Sequence, residues 1–226
     1  MNNYFFLTQT VLFQGSTIEE IQMILKCLRA EKKRFAKREI IYHAGDRVQF
    51  MGVVLSGSVY VENDDLWGNK SVLDHIEPGA VFGETYACIA KEPLMVSVVA
   101  AETTEILFLN MNRLIQTCSN VCEYHNRLIR NLLMIFAQKN LNLSRRIFHT
   151  SSKSIRGRLL SYLSFQATYQ GSYEFTIPYN RQQLADYLSV DRSALSNELS
   201  KMKKDGLLEV KRNYFHLNEE LFKSYL

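Results

Sequence analysis

No apolar run in the 226-residue sequence approaches the ~18 residues that a membrane-spanning helix needs. The opening Met1-Asn2-Asn3-Tyr4-Phe5-Phe6-Leu7 lacks the basic flank and small-residue cleavage site of a secretory signal. A cytoplasmic protein with no membrane partner is the expectation. Cysteine is scarce: Cys27, Cys88, Cys118 and Cys122 fit neither a metal-finger spacing nor a dense disulfide framework. Cys118 and Cys122 lie close enough to leave a redox role open, although Asn120-Val121-Cys122-Glu123 reads as a helix start that leaves Cys118 outside. A Ser/His/Asp triad, a phosphate-cradling loop and a paired-carboxylate site are all missing. No enzyme, no catalytic residue, no metal site and no resident cofactor is expected.

One absence is local. The formal net charge is only +4. Yet residues 124–173 carry 8 basic side chains and no acidic one, whereas residues 1–123 carry 11 and 15. A stretch of that kind reads either as a solvated helix face or as an electrostatic footprint for a polyanion.

With 46% hydrophobic and 22% charged residues, most of the chain is expected to fold. Residues 17–28 place Ile18, Ile21, Ile24, Leu25 and Leu28 at helical spacing. Short β-rich runs follow at 38–42, 50–55, 58–62, 71–76, 96–101 and 105–109, punctuated by Gly45, Gly57, Gly68, Gly79 and Gly83. Strands at this spacing predict a β-roll or jelly roll. Residues 112–117 form a short helical segment, and a long helix spans about 121–148. Along it Ile129, Leu133, Phe136, Asn140, Leu143 and Ile147 alternate at spacings of four and three, a coiled-coil seam with one polar member that can set register. Leu128, Leu132 and Ile135 form a second stripe. One stripe would meet the roll and the other a second copy of the chain. Thr150-Ser151-Ser152-Lys153-Ser154 reads as a hinge, followed by a helix over 155–167 and a short strand over 174–177.

The segment from Asn180 to Leu208 is the most informative. Residues 181–188 predict a helix whose inner face holds Leu184, Ala185 and Leu188. Ser189-Val190-Asp191 forms a tight connection. A second helix over 192–204 buries Leu195, Leu199 and Met202 and displays Arg192, Ser193, Ser196, Asn197 and Lys201. A hairpin over 207–211 and 214–217 completes a helix-turn-helix with a wing. Such a helix presents its first residues to base edges in the major groove, where Arg matches guanine and Asn matches adenine. Double-stranded DNA is the expected partner. The DNA-binding residues read from the sequence are Gln182, Val190, Asp191, Arg192, Ser193, Ser196, Asn197, Lys201 and, at the hinge, Lys153, to which the resemblance described next adds Arg181. Arg145, Arg146, Arg156 and Arg158 are expected beside Lys153 as a general attraction for phosphates.

The chain also resembles the Crp/Fnr family of bacterial transcription regulators. The resemblance rests on His43-Ala44-Gly45-Asp46, Val54-Leu55-Ser56-Gly57-Ser58-Val59 and Glu77-Pro78-Gly79-Ala80-Val81-Phe82-Gly83-Glu84. It continues in Leu184-Ala185-Asp186-Tyr187-Leu188-Ser189-Val190-Asp191-Arg192-Ser193 and Lys203-Lys204-Asp205-Gly206-Leu207. It implies an α+β protein of three parts. Residues 1–120 would form a cyclic-nucleotide-binding-like β-roll that senses an effector, 121–149 a dimerisation helix, and 150–226 a winged helix-turn-helix domain. It also implies a homodimer on an inverted repeat, with RNA polymerase as a candidate further partner. Arg192 matches the family's guanine-reading arginine and Arg181 a phosphate contact. Ser193 and Asn197 stand where other members carry Glu and a second Arg, which implies a different half-site.

The sensory half departs from the family's nucleotide binders. Gly83-Glu84 is kept, but Met95-Val96 occupies the place of the Arg-Ser or Arg-Thr that holds the cyclic phosphate, and no Arg or Lys lies between Lys91 and Arg113. A buried phosphodiester without a cation would be badly desolvated. A small effector other than a cyclic nucleotide is expected, in a pocket of Gly83, Glu84, Thr85, Met95 and Val96. The iron–sulfur cysteine cluster of other members is missing, and His75 alone is a weak basis for haem. The alternatives are a cyclic-nucleotide-responsive regulator, a cupin-like metal enzyme and a protein-binding module. Histidines 43, 75, 125, 149 and 216 contain no His-x-His pair, which weighs against the cupin.

Overall fold

The computed structural model describes residues 3–64, 70–89, 91–115 and 123–223. Cys118 and Cys122, and with them any redox role, lie outside the described residues. The chain divides into two compact units, Met1–Ala137 and Gln138–Leu226.

The first unit begins with α1 (Asn3–Thr8), a short 3-10 turn and α2 (Ile18–Cys27). Thr17 and Glu20 cap α2 reciprocally: the Thr17 hydroxyl accepts from the Glu20 N–H and the Glu20 carboxylate from the Thr17 N–H. The roll follows with β1 (Glu31–Phe35), β2 (Ile40–Tyr42), β3 (Phe50–Ser56), β4 (Val59–Asp64), β5 (Lys70–Ile76), β6 (Val81–Phe82), α3 (Glu84–Cys88), β7 (Ser97–Ala100), β8 (Thr104–Asn110) and α4 (Met111–Ile115). Two four-stranded sheets result, in the orders β1-β8-β3-β6 and β2-β7-β4-β5. Strands β3 and β8 are apolar on both faces because each face has a different neighbour. Val54, Ile106 and Phe108 point into the space between the sheets with Val59 and Val98. Met51, Val53, Leu55, Leu107 and Leu109 point outward under Leu7, Phe13, Ile21 and Ile24 of the helical segment. Gly52 is required in β3 because the Phe82 ring lies where its Cβ would be.

Strand β1 escapes a reading by hydrophobic pattern. Its Glu31-Lys32-Lys33-Arg34-Phe35 is mostly exposed at the sheet edge, where charge discourages pairing with other chains. It is held by its register on β8 and by the Lys32–Glu105 ion pair at 3.0 Å. Similarly, β6 is only two residues long, and α3 starts from Gly83, whose φ of +71° suits glycine.

Helix α5 (Glu123–Thr150) contributes to both units. In the first unit Leu128 and Leu132 are buried, and Arg127 joins Glu20 at 2.7 Å. Asn131 donates to the carbonyls of Leu12 and Gln14 at 2.9 and 3.0 Å. Ile129 and Phe136, placed by their spacing in the dimer seam, pack in part against this unit's own core. The two stripes are thus not cleanly divided. A core-facing apolar stripe on a helix is about 100° wide, so residues at its margin, such as Ile129 and Phe136, belong to both faces.

In the second unit α5 is followed by α6 (Ile155–Gln170), β9 (Glu174–Thr176), α7 (Arg181–Tyr187), α8 (Arg192–Lys204), β10 (Leu208–Lys211), β11 (Tyr214–Leu217) and α9 (Glu219–Lys223). The three strands form one sheet in the order β10-β11-β9. One core joins Leu159, Leu163, Phe175, Leu195, Leu199 and Phe215. Fully buried Ala185 leaves room for α8 to cross α7. Among the described residues no helix is long and apolar enough to cross a membrane.

His149, in the last turn of α5, is buried among the rings of Tyr162, Phe165 and Tyr187. Its Nδ1 lies 3.1 Å from the Ser161 hydroxyl. Burial, and secondarily Arg145, pull its pKa below the ordinary 6.5. The folded unit therefore favours the neutral imidazole. The resulting stability is complete above pH 6.5 and declines as the pH falls through the lowered value. The thermal midpoint of the second unit should fall over that acid interval. His149→Phe should flatten the decline, whereas an unchanged pH profile in that variant would place its origin elsewhere.

Candidate nucleic-acid interface

The helix pair of the second unit is built from local caps. The Asn180 side chain accepts from the Gln183 N–H at 3.0 Å, and the Gln183 side chain accepts from the Asn180 N–H at 2.9 Å. This capping box starts α7 directly at Arg181. Asp191 caps α8: its Oδ1 accepts from the N–H of Ser193 at 2.8 Å and of Ala194 at 2.9 Å. The Ser193 hydroxyl also donates to it. That hydroxyl, and next the Ala194 N–H, hold the Asp191 carboxyl below its usual pKa. Asp191 and the Ser193 hydroxyl are thus engaged in starting the helix, so both reach DNA only by sharing these bonds.

The outward face of α8 is open. Arg192 and Asn197 are exposed, and no hydrogen bond or ion pair of their side chains is recorded among the described residues. The Ser196 hydroxyl donates back to the Arg192 carbonyl at 2.9 Å, and Lys201 lies 4.0 Å from Glu198. Opposite them Leu195, Leu199 and Met202 are buried. Val190 is half-buried against the core and its N–H donates to the Ala185 carbonyl, which makes it a plug for the turn. Gln182 bonds Asp186 within α7. Lys153 is exposed in the break between α5 and α6.

Arg181 is partly buried, which pulls its pKa down, and it donates to the Arg212 carbonyl at 3.3 Å. That carbonyl belongs to the wing tip. Asn213 pins the same tip, exchanging bonds of 3.0 Å with the Ile177 backbone. The exposed Lys211 and Arg212 are cations that the sequence pattern did not single out. Their only signal was position at a two-residue hairpin turn, Lys211 ending β10 and Arg212 opening the turn.

The acid-free stretch is used differently from the expectation. Arg156 binds Glu198 at 2.6 Å and Asp205 at 2.7 Å, which raises its pKa and cancels its charge locally. Arg146 and Arg158 donate to backbone carbonyls of the helix-turn-helix. Arg145 lies over the Phe165 ring, 5.1 Å from its centre. These four serve the fold of the unit, because carboxylates, backbone carbonyls and, for Arg145, an aromatic ring distant in sequence come within reach of them. Among the described residues Lys153 is the member of the group whose exposed side chain has neither a hydrogen bond nor an ion pair.

In the first unit Gly83 opens α3, Glu84 is buried at 4% exposure and Thr85 is exposed. Met95 and Val96, expected to line one recess, do not face the same way. Leu94 takes the inward position, fixed by backbone bonds to Gly45 and Asp46, and turns Met95 out to 74% exposure. Val96 packs in part on the core. A recess of about 500 Å³ lies instead where the helical segment meets the roll, lined by Leu7, Leu25, Lys26, Lys32, Leu55 and Leu107. Along α5, Leu133, Leu143 and Ile147 are 65%, 62% and 69% exposed, and Asn140 is exposed between them.

Two family patterns match the chain. The cyclic nucleotide-binding domain covers residues 32–120 and the Crp-like helix-turn-helix domain covers residues 157–224. A cyclic AMP receptor protein of Thermus thermophilus is 31% identical over 98 residues, a match that spans 43% of this chain and 44% of that protein. Among solved structures, CprK complexed with OCPA has a TM-score of 0.65 at 17% identity, covering 92% of this chain and 94% of its own. The c-di-GMP responsive global regulator CLP of Xanthomonas campestris has a TM-score of 0.56 at 19% identity, covering 89% and 99%. These structures share the fold, and the two domain matches fall one in each of the two units. The chain belongs to the Crp/Fnr family of transcription regulators.

Proposed function

We propose that the protein is a homodimeric, sequence-specific DNA-binding regulator that acts in the cytoplasm on an inverted-repeat operator. The observation that carries this reading is the open face of α8. Arg192 and Asn197 are presented beside a half-buried turn, with the helix start already capped, so that their side chains are unengaged. Such a helix reads base edges from its N-terminal end. Two copies related by a twofold axis would address half-sites about one helical turn apart. In this reading residues 1–120 sense, 121–149 join the copies and 150–226 bind DNA.

The effector is a small molecule other than a cyclic nucleotide. In support, Met95 stands outward where the family's nucleotide binders place a phosphate-holding Arg, and that region of the sequence offers no cation in its stead. The retained Gly83 and buried Glu84, with the match to a cyclic nucleotide-binding domain, favour the second reading, a nucleotide-responsive member. Selection of bound duplexes from a random pool, with and without cyclic AMP, tests both. An inverted repeat recovered equally under the two conditions is expected. Failure to recover any sequence would overturn DNA reading, and recovery only with cyclic AMP would establish the nucleotide-responsive form. Lys153→Ala should weaken binding to all duplexes alike and reduce the slope of log affinity against log salt by about one. An unchanged slope would remove Lys153 from the phosphate contacts.

A further inference from the structure

Helix α7 ends after seven residues, so its last carbonyls run out of helical donors. The chain then passes through Ser189, whose φ of 54° is a left-handed conformation costly for a residue with a side chain. Two guanidinium groups close on this point from different helices. Arg146, on α5, donates through Nη2 to the Asp186 carbonyl at 3.0 Å and through Nε to the Tyr187 carbonyl at 3.1 Å. Arg158, on α6, donates through Nη1 to the carbonyls of Leu188 and Ser189, each at 2.9 Å. Its Nε donates to the Ser152 carbonyl in the break between α5 and α6, at 2.8 Å. Four consecutive carbonyls are thereby held, the last of them two residues before the Asp191 cap of α8.

We propose that Arg146 and Arg158 are positioning residues for DNA reading. They fix the turn between α7 and α8, hence the angle at which Arg192 and Asn197 are presented, and they tie that turn to the end of the long helix. The inference rests on the reading of α8 as the base-contacting helix. Each guanidinium bonds more than one acceptor at once, a fork that a lysine ammonium does not reproduce. Three features support a role in geometry rather than in attracting phosphate. The donors are turned inward onto the backbone. They converge on the one strained residue of the turn. Beside them Arg156 braces the body of α8 through Glu198 and Asp205. The missing acids of residues 124–173 acquire a reason as well. A carboxylate on α5 or α6 within reach would form the stronger charge-assisted pair and draw these arginines off the carbonyls.

A consequence concerns the break at residues 151–154, which sequence reading treats as a hinge. Arg146 precedes it and Arg158 follows it, and both hold the same turn. His149 and Ser161 bridge it too. The end of α5 therefore moves with the helix-turn-helix, and a signal that shifts this part of the long helix reaches α8 through the clamp.

The test compares wild type, Arg146→Lys and Arg158→Lys on two duplexes: the sequence that wild type selects from a random pool, and a random-sequence duplex of equal length. Binding is measured well below each variant's thermal midpoint. Both substitutions retain charge, so affinity for the random duplex and its salt slope should be unchanged. Preference for the selected duplex should fall about tenfold, comparable to mismatching one base pair. Preference retained in both variants would overturn the inference, whether or not the thermal midpoint falls, as would an equal loss on both duplexes. Arg146 is exposed, so its variant reports even where Arg158→Lys lowers the folded fraction. Wild type selecting no sequence would instead overturn the reading of α8, and the inference with it.

Discussion

Leu143→Glu combined with Ile147→Glu should leave the protein monomeric, and its affinity for the inverted repeat should fall by about 10²–10⁴-fold. Both side chains are more than half exposed in the isolated chain, so the double substitution removes nothing from its core. With Leu133 they line one side of a 28-residue helix, and single exposed leucines are ordinary where a row of them is not. Asn140 sits in that row and accepts from Ser144 in its own helix at 3.3 Å, a polar member suited to fixing register between two helices. Four carboxylates facing each other across a twofold axis would repel and desolvate. Each half-site would then be bound alone, and the gain from linking two binding events would vanish. Light scattering would report the mass, and a duplex with one half-site would control for damage to α8. A dimer that persists would move the interface off this face.

The second large effect is expected at Arg192. Arg192→Ala should cost roughly 1–3 kcal/mol on the selected site and relax preference at one base pair of each half-site. Its side chain has no recorded partner in the described chain, so the fold and its thermal midpoint should be unaffected. This separates it from its neighbours. Asp191 and Ser193 are engaged in capping α8, and changing either would mix loss of helix start with loss of contact. The check is quantitative affinity for all single-base variants of the site. If Arg192→Ala discriminates as wild type does, base reading belongs to another residue of the face, with Asn197 the first to test.

The wing and the clamp show where sequence reading stops. Arg181 resembled a phosphate contact, and its structure has it donating to the wing-tip carbonyl of Arg212, with the guanidinium half-buried. Arg156 and Arg158 looked like attraction for phosphate because no acid lay near them in the sequence. Apart from the Ser152 carbonyl, their acceptors are 30–49 residues away, at Leu188, Ser189, Glu198 and Asp205. In the first unit, the sequence pattern pairs Met95 and Val96 in one recess. Backbone bonds of Leu94 to Gly45 and Asp46 decided instead that Leu94 points in and Met95 out.

What the amino-acid sequence determined by itself was whatever short-range physics governs. The Thr17–Glu20 and Asn180–Gln183 boxes and the Asp191 cap bond groups three residues apart, so they set helix starts that the structure reproduces. Short β-rich runs bounded by turn residues marked β3 and β8, and the period of Leu184, Ala185, Leu195, Leu199 and Met202 marked the helix pair. Tertiary structure alone decided the charged edge strand β1, whose place depends on pairing with β8 some 70 residues later. It alone decided which residues of the long helix are buried, and that most of the basic cluster serves backbone carbonyls and carboxylates distant in sequence. A charge or a hydrogen-bond donor has no preferred partner until the chain brings one within about 3 Å, and that distance is a property of the fold.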